Sequence, residues 1–423
     1  MKKSPLGRGS LRKASAVFLS LGLTAPVANA ALDSFDKTVE DALKVGGGQF
    51  KFDIRYRFEN AHQDEGARET GNASTVRFRI GYLTPEFYGL KAYAELEATQ
   101  DIGVNDYGTG PKGKNNEYEV VADPVGAELN QGWLSYTGIS GTEIIAGRQR
   151  IKLDNDRFIG NIGWRQNEQT FDSVMVTNTS IPHTDFKVGY IWNARSIFIT
   201  DQEMKSPFFN ISYDGLGGFG KLTGYGYFLD FQDEAGPGFI KSTSTIGASL
   251  AGAAPVAEKL KIPYLAEYSY QRAYEDNTRH YWADRYHFEG GLTLVDPVPG
   301  IAEITAKGGW ERLGSDRGAG FQTPLGTNHA FQGWADKFLT TPENGIRDLY
   351  GAAIMKLFGL KTMFVYHQFD ADFGGADYGS EIDALVAKKF GKHFTLAAKY
   401  AKYNAVEFSN DTQKFWFQGI VSF

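Results

Sequence analysis

Cysteine is absent from the 423-residue chain, which excludes a disulfide framework, thiolate-bound zinc, iron–sulfur clusters and a cysteine nucleophile. Long apolar runs are also missing from the body of the chain. The closest, 246–257, is rich in Gly and Ala and carries Pro255, short of the ~20 residues a spanning helix needs. The seven histidines never fall at HxxxH spacing, so no zinc or other metal site is expected. No GxSxG elbow is present. Charged residues make up 22% of the chain and mean hydropathy is −0.34, values that fit neither disorder nor a helical membrane bundle. A net charge of −6 argues against nucleic acid as a partner. What is abundant is glycine, at 50 residues, and aromatic side chains, at 14%. A long series of half-exposed strands joined by turns needs that composition.

The first thirty residues read as an export signal. Lys2, Lys3, Arg8, Arg12 and Lys13 form a basic head, residues 14–27 are mostly apolar, and Ala28-Asn29-Ala30 is a small-x-small cleavage site. Cleavage after Ala30 removes five basic residues and leaves a more acidic mature protein. Residues 31–48 then form a short periplasmic segment, and 49–423 the body of the fold.

For an exported chain without spanning helices, a closed barrel is the other structure that satisfies its own backbone in a membrane. Its mark is period-2 alternation over segments of about ten residues. In 50–59 every even position is apolar (Phe50, Phe52, Ile54, Tyr56, Phe58) and every odd one charged (Lys51, Asp53, Arg55, Arg57, Glu59). The pattern recurs with Val76, Phe78 and Ile80 against Arg77 and Arg79, with Tyr190 and Trp192 against Lys187, and with Tyr264 and Tyr268 against Glu267. It ends with Phe415 and Phe417 against Lys414 and Gln418. Charges of both signs on one face of nearly every strand assign lipid to the outside and water to the inside.

Short Gly-, Pro- and Asp-rich turns (84–89, 138–141, 181–184, 214–218, 296–300, 357–360, 390–392) alternate with long polar connections (62–73, 101–126, 151–168, 231–241, 273–281, 313–345, 370–377, 404–411). The expected fold is all-β: a transmembrane antiparallel β-barrel of about 18 strands, wide enough for an aqueous channel. Long loops would be extracellular, and the short turns and both termini periplasmic. Segments 128–137 and 142–150 alternate ambiguously.

Several apparent motifs dissolve. Gly215, Gly217 and Gly220 match GxGxxG, but Lys221 to Phe231 is Gly-broken and aromatic where a dinucleotide site needs a helix. Asp154-Asn155-Asp156 resembles the start of a calcium loop, yet Phe158 stands where an oxygen ligand belongs. His287 lies between Arg285 and Glu289 on an inward face and reads as a satisfied lumen histidine. No catalytic residues and no cofactor are expected.

The segment 147–172 concentrates Arg148, Arg150, Lys152, Arg157 and Arg165 among Asp154, Asp156 and Asn161. Planar guanidinium forks suit carboxylates, so this strand–loop–strand is a candidate anion-recognising constriction, or else a solvated loop held by Arg–Asp pairs. Arg148 and Arg150, two apart, are expected on one face, with Asp154 and Asp156 steadying them. Arg55, Arg57, Arg77, Arg79, Glu381 and Asp383 are further lining candidates. In 318–350, Phe331, Trp334 and Phe338 at helical spacing predict a short amphipathic helix after Thr327-Asn328. Together with Asp336 and Lys337 it would narrow the pore or pack on the rim.

The segments GRQRIKLDNDRFIGNIGWRQNEQTFD and FQTPLGTNHAFQGWADKFLTTPENGIRDLY, with Phe423, resemble the alginate-export family of outer-membrane porins across roughly 48–423. The resemblance implies an 18-stranded barrel in the bacterial outer membrane that conducts solute passively through a charged constriction. It also implies contact with lipid and lipopolysaccharide, and recognition of Phe423 by barrel-assembly machinery. The mixed charge of the inward positions departs from a polyuronate path, since a polyanion needs continuous positive potential. Three readings follow. The first is a channel for small to medium, anionic solutes, carboxylate or polyuronate-like; the others are a barrel hydrolase and a structural or adhesive barrel.

Overall fold

Alternation of apolar and charged side chains drives each segment to pair edge to edge, because only paired strands bury every backbone donor and acceptor. The computed structural model describes residues 25–110, 115–232, 241–275 and 277–423. Eighteen strands form an antiparallel meander: β1 Gly48–Gln63, β2 Gly71–Leu83, β3 Leu90–Asp106, β4 Gly126–Ile139, β5 Thr142–Gln149, β6 Thr170–Asn178, β7 Thr184–Arg195, β8 Asp201–Tyr213, β9 Lys221–Leu229, β10 Thr243–Ala257, β11 Leu260–Ala273, β12 Trp282–Val298, β13 Ile301–Leu313, β14 Ile346–Leu357, β15 Leu360–Asp370, β16 Asp377–Phe390, β17 Phe394–Ala405 and β18 Thr412–Ser422. Each pairs with its neighbours in sequence, and β18 pairs with β1 (Ile54 opposite Val421, Phe58 opposite Phe417). The sheet is closed and has no free edge.

The two faces are sorted as the sequence predicts. On β1, Arg55, Arg57 and Glu59 are buried in the lumen while Tyr56 is exposed. Tyr190, Trp192, Tyr268, Phe415 and Phe417 also lie on the outer wall, with Leu96, Leu134, Leu349 and Phe364. A continuous apolar exterior over a charged interior fits hydrocarbon outside.

The ambiguous segments have local causes. In β4 the pairing with β3 shifts between Glu95 and Leu96, so that Asn130 and Gln131 both turn inward while Leu129 and Leu134 face out; such a bulge breaks period 2. β5 is short, and Gly147 holds φ +123° against the Gly132 carbonyl, where a Cβ would collide. Two connections escape the Gly/Pro/Asp signal: the tight turn after Ala257 and the 196–200 loop, Ser-Ile-Phe-Ile-Thr. The GxGxxG segment is a turn leading into β9.

Helix α1, Ala25–Ala42, runs across the expected cleavage point; the basic head of the expected export signal lies outside the described residues. No described helix is long and apolar enough to cross a membrane. The helix docks beside the strand ends. Phe35 packs on Phe394 and Phe423, the Lys392 N–H donates to Asp36, and His393 meets Glu40 at 2.8 Å. Phe423 exchanges backbone hydrogen bonds with Phe52.

Candidate functional site

Two connections turn into the barrel instead of leaving it: 150–169, after β5, and 314–345, after β13. Their apolar residues Ile151, Leu153, Phe158, Ile159, Phe321 and Leu325 are buried in the lumen. Phe158 packs on Tyr225 and Tyr227, with ring centroids 5.1 and 5.4 Å apart. The loops meet through backbone bonds from Gly160 N–H to the Leu325 carbonyl and from Thr327 N–H to the Asp156 carbonyl. Trp164 and His329 stack at 4.7 Å. The result is a septum across the lumen.

The first loop is held by the arginines of β1 and β2. Arg55 donates to Gln166 Oε1 and the Gly163 carbonyl at 2.9 Å each, and to the Arg165 carbonyl. Arg57 lies over the Trp164 ring at 4.2 Å, donates to the Trp164 carbonyl and pairs with Asp123. Arg77 pairs with Asp53 and reaches the Gln166 carbonyl; Arg79 pairs with Glu97 and Glu168. Arg55 and Arg77 stand directly opposite each other across the ladder, an arrangement that repels. The carbonyls and carboxylates of loop 150–169 and its neighbours offset that repulsion.

The second loop is held by the acids and lysines of β13 and β16–β18. Arg157, from the first loop, pairs with Glu311 at 3.2 Å, donates to Gln332 and lies over Phe331. Ala335 N–H donates to Glu381 at 2.6 Å, and Trp334 N–H to Asp383. Asp336 accepts from Lys414 at 2.7 Å, His329 Nδ1 at 2.6 Å and Arg165 at 3.3 Å; Arg165 also reaches Glu59 at 2.8 Å. Lys399 donates to His329 Nε2 at 2.8 Å, between the rings of Trp164 and Trp334 at 4.0 and 3.7 Å.

These contacts fix the charge state of the septum. Burial pushes Asp336 up, but His329, Lys414 and Arg165 outweigh it and hold it well below the usual carboxylate range. Burial pushes His329 down to about 3 despite Asp336, with the Lys399 ammonium adding to the effect, so the imidazole is neutral at pH 7. Glu168, buried but facing Arg79 and Arg150, falls to about 2.

The expected helix over 331–338 does not form. Only a 3-10 turn, Asn328–Ala330, is present. Gln332, Gly333 and Asp336 have positive φ, and the N–H groups of Trp334 and Ala335 bond wall carboxylates instead of preceding carbonyls. Gly333 sits so close that a Cβ there would strike Glu381. The spacing of Phe331 and Phe338 serves separate anchors: Arg157 for the first, and Phe369, Tyr378 and Tyr403 for the second.

Arg148 and Arg150 do not share a face. In β5, Arg148 follows Ala146, which lies opposite the exposed Leu134, and it points outward. There it forms a two-bonded pair with Asp172 at 2.7 and 2.8 Å. Arg150 lies past the strand end and turns inward to Glu168 at 2.7 Å and Glu95 at 3.5 Å. Nor do Asp154 and Asp156 steady these forks: Asp154 accepts from Asn210 and faces Lys221, and Asp156 pairs with Lys152. His287 is engaged by Arg285 and the Tyr350 hydroxyl. No group of metal-ligating side chains occurs among the described residues.

Sequence reasoning missed Trp164, Glu168, Glu311, His329, Lys399 and Asp123. For Glu311 and Lys399 a signal existed, since each is the charged member of an alternating strand. The loop residues carry no periodic signal.

No protein-family model matches the chain, and no curated protein matches it. Solved structures do. OccAB2 of Acinetobacter baumannii superimposes with a TM-score of 0.68 at 12% identity, over 90% of this chain and 99% of that one. OccK9 (OpdG) of Pseudomonas aeruginosa gives 0.66 at 14% identity, over 89% and 98%. OpdK of Pseudomonas aeruginosa, in its structure with vanillate, gives 0.66 at 12% identity, over 88% and 98%. At these identities the likeness is one of fold: a closed 18-strand outer-membrane-type barrel resembling Occ proteins.

Proposed function

We propose that the protein is a passive channel of the bacterial outer membrane for small to medium anionic solutes, carboxylates foremost. The observation that carries this reading is a set of cations at the septum that no carboxylate neutralises directly. Arg55, Lys399 and Lys337 have no carboxylate within 4.0 Å among the described residues; Arg55 bonds neutral oxygens, Lys399 an imidazole and three indoles, and Lys337 an amide and a hydroxyl. Uncompensated cations inside low-dielectric walls raise the local potential and draw anions. The vanillate in the OpdK structure is a carboxylate, in keeping with this class. The chemistry is passage and not bond-breaking, and Arg150, Arg157 and Arg165 act by position and field.

Kinship with the alginate-export porins, suggested by the two loop motifs, belongs to the same proposal, but the solute is smaller than alginate. Asp336, Glu311 and Glu168 interrupt the positive path that a polyuronate would need. Export on the N-terminal leader, cleavage after Ala30, lipid and lipopolysaccharide around the apolar wall, and capture of Phe423 during assembly complete the reading. The test is reversal potential in a salt gradient across a planar bilayer containing the purified barrel. A shift toward the anion potential is expected; cation preference or absence of conductance overturns the proposal.

A further inference from the structure

A cavity of about 200 Å³ opens where β1, β18 and three connections converge at the long-loop end of the barrel. Its wall includes Arg165, Lys414, Lys337 and Asp336, with Glu119 and His62 at its margin. Asp336 is already bonded to both Arg165 and Lys414, and Glu59 holds the other side of Arg165.

Lys337 differs from its neighbours. Its ammonium donates to Gln63 Oε1 at 2.6 Å and to Thr412 Oγ1 at 2.9 Å, both neutral. The Thr412 hydroxyl in turn donates to the Asn410 carbonyl, so it is fixed as an acceptor. An ammonium has three donors, and these two bonds leave one N–H and the full charge without an anion. Glu119 lines the same cavity but forms no ion pair within 4.0 Å among the described residues. Partial burial without a counter-charge pushes the Lys337 amine down to about 8, with Lys414 adding to the effect against Glu119, Glu381 and Asp336.

We infer that this cavity is a binding site for small monocarboxylates, with Lys337 as the group that receives the carboxylate at the long-loop mouth of the septum. The inference rests on the channel reading and names a site within it. Its size selects the ligand: about 200 Å³ lies below the ~300–1,000 Å³ of pockets for drug-sized molecules. Its charge selects the valence. One free cation matches one carboxylate, whereas a second carboxylate on the solute would face Glu119.

The test uses the full-length barrel in planar bilayers with propionate as the probe, and malonate as its dianionic counterpart. Propionate current is expected to saturate. Lys337→Gln should raise the half-saturating concentration about tenfold, Lys337→Arg should restore it, and Glu119→Gln should lower it severalfold. Opposite signs from the two neutral replacements are not what a purely structural role would give. Propionate current that saturates identically in wild type and Lys337→Gln overturns the site and leaves the channel reading standing. Absence of any conductance overturns the channel reading. Calorimetry on the detergent-folded protein then decides the site: heat of propionate binding that vanishes in Lys337→Gln supports it, and no heat in wild type overturns it.

Discussion

Replacing Asp336 by Asn probes the septum at its most connected point. The side chain is nearly inaccessible, at 6% exposure, and accepts from Lys414, His329 and Arg165. Asn keeps the shape and removes the charge. Arg165 retains Glu59 at 2.8 Å, but Lys414 loses the carboxylate it pairs with. Leaving one partner of a buried pair uncompensated costs about 3–5 kcal/mol. At about 1.4 kcal/mol per tenfold, the equilibrium between docked and released loop shifts by roughly a hundredfold or more. The N–H groups of Trp334 and Ala335, bonded to Asp383 and Glu381 when the loop is docked, report that release directly. Hydrogen exchange followed by mass spectrometry should show peptides of 331–340 exchanging at least a hundredfold faster, with β16–β18 unchanged and single-channel conductance raised. Unchanged loop exchange together with unchanged conductance would refute the reasoning, because the loop would then be held by its apolar anchors alone.

Other perturbations separate the faces and the charges. Ile54→Arg puts a charge on the outer wall and should cost about 2–4 kcal/mol in lipid if it lies near the bilayer midplane, read as a lowered urea midpoint; Arg55→Leu should leave insertion intact and loosen only loop 150–169. Arg148→Gln should leave reversal potential untouched, since Asp172 pairs with it outside the lumen, whereas Arg150→Gln should move it toward cations by leaving Glu168 and Glu95 less balanced; equal effects would contradict the split. Acid should open the septum. His329 protonates at about 3 when docked and near 6.5 when released, so its contribution is fully present above pH 6.5. That contribution fades as pH falls toward 3, at up to roughly 1.4 kcal/mol per unit, and conductance in His329→Gln should lack this rise below pH 6.

The barrel was legible because lipid and water impose period 2 on most of the strands, and Phe52, Ile54 and Tyr56 against Arg55 and Arg57 show it without help from context. Strand ends were less legible. Arg148 and Arg150 satisfy the spacing rule, but β5 stops at Gln149, and the rule has no force once the chain leaves the ladder. The interior of the septum was legible in composition only. Arg157, Arg165, Phe331, Trp334, Asp336 and Lys337 stood out as a charged and aromatic concentration, and all six lie in it. Which partners they take did not stand out, because Glu311, Lys399 and Lys414 come from strands far away in sequence. The helix expected at 331–338 failed for the same reason: wall carboxylates competed for the backbone N–H groups, and local spacing does not report them.

The placement of the two loops bears on how the barrel closes. Loop 150–169 leaves the wall at β5–β6 but is gripped by β1 and β2; loop 314–345 leaves at β13–β14 but is gripped by β16, β17 and β18. Both therefore lean toward the seam where the first and last strands pair. At that seam Glu59 of β1 bonds Arg165 of the first loop, Arg165 bonds Asp336 of the second, and Asp336 bonds Lys414 of β18. Ala61 of β1 lies opposite Lys414 in the same ladder, so this chain of charges closes a ring across the seam. Its two halves, Glu59 with Arg165 and Asp336 with Lys414, are joined through the Arg165–Asp336 pair once β1 and β18 have met. Contacts of such sequence separation form late, after loop-closure entropy has been overcome. The septum is thus coupled to closure: the network of ion pairs that narrows the lumen is complete only in a barrel whose ends have joined.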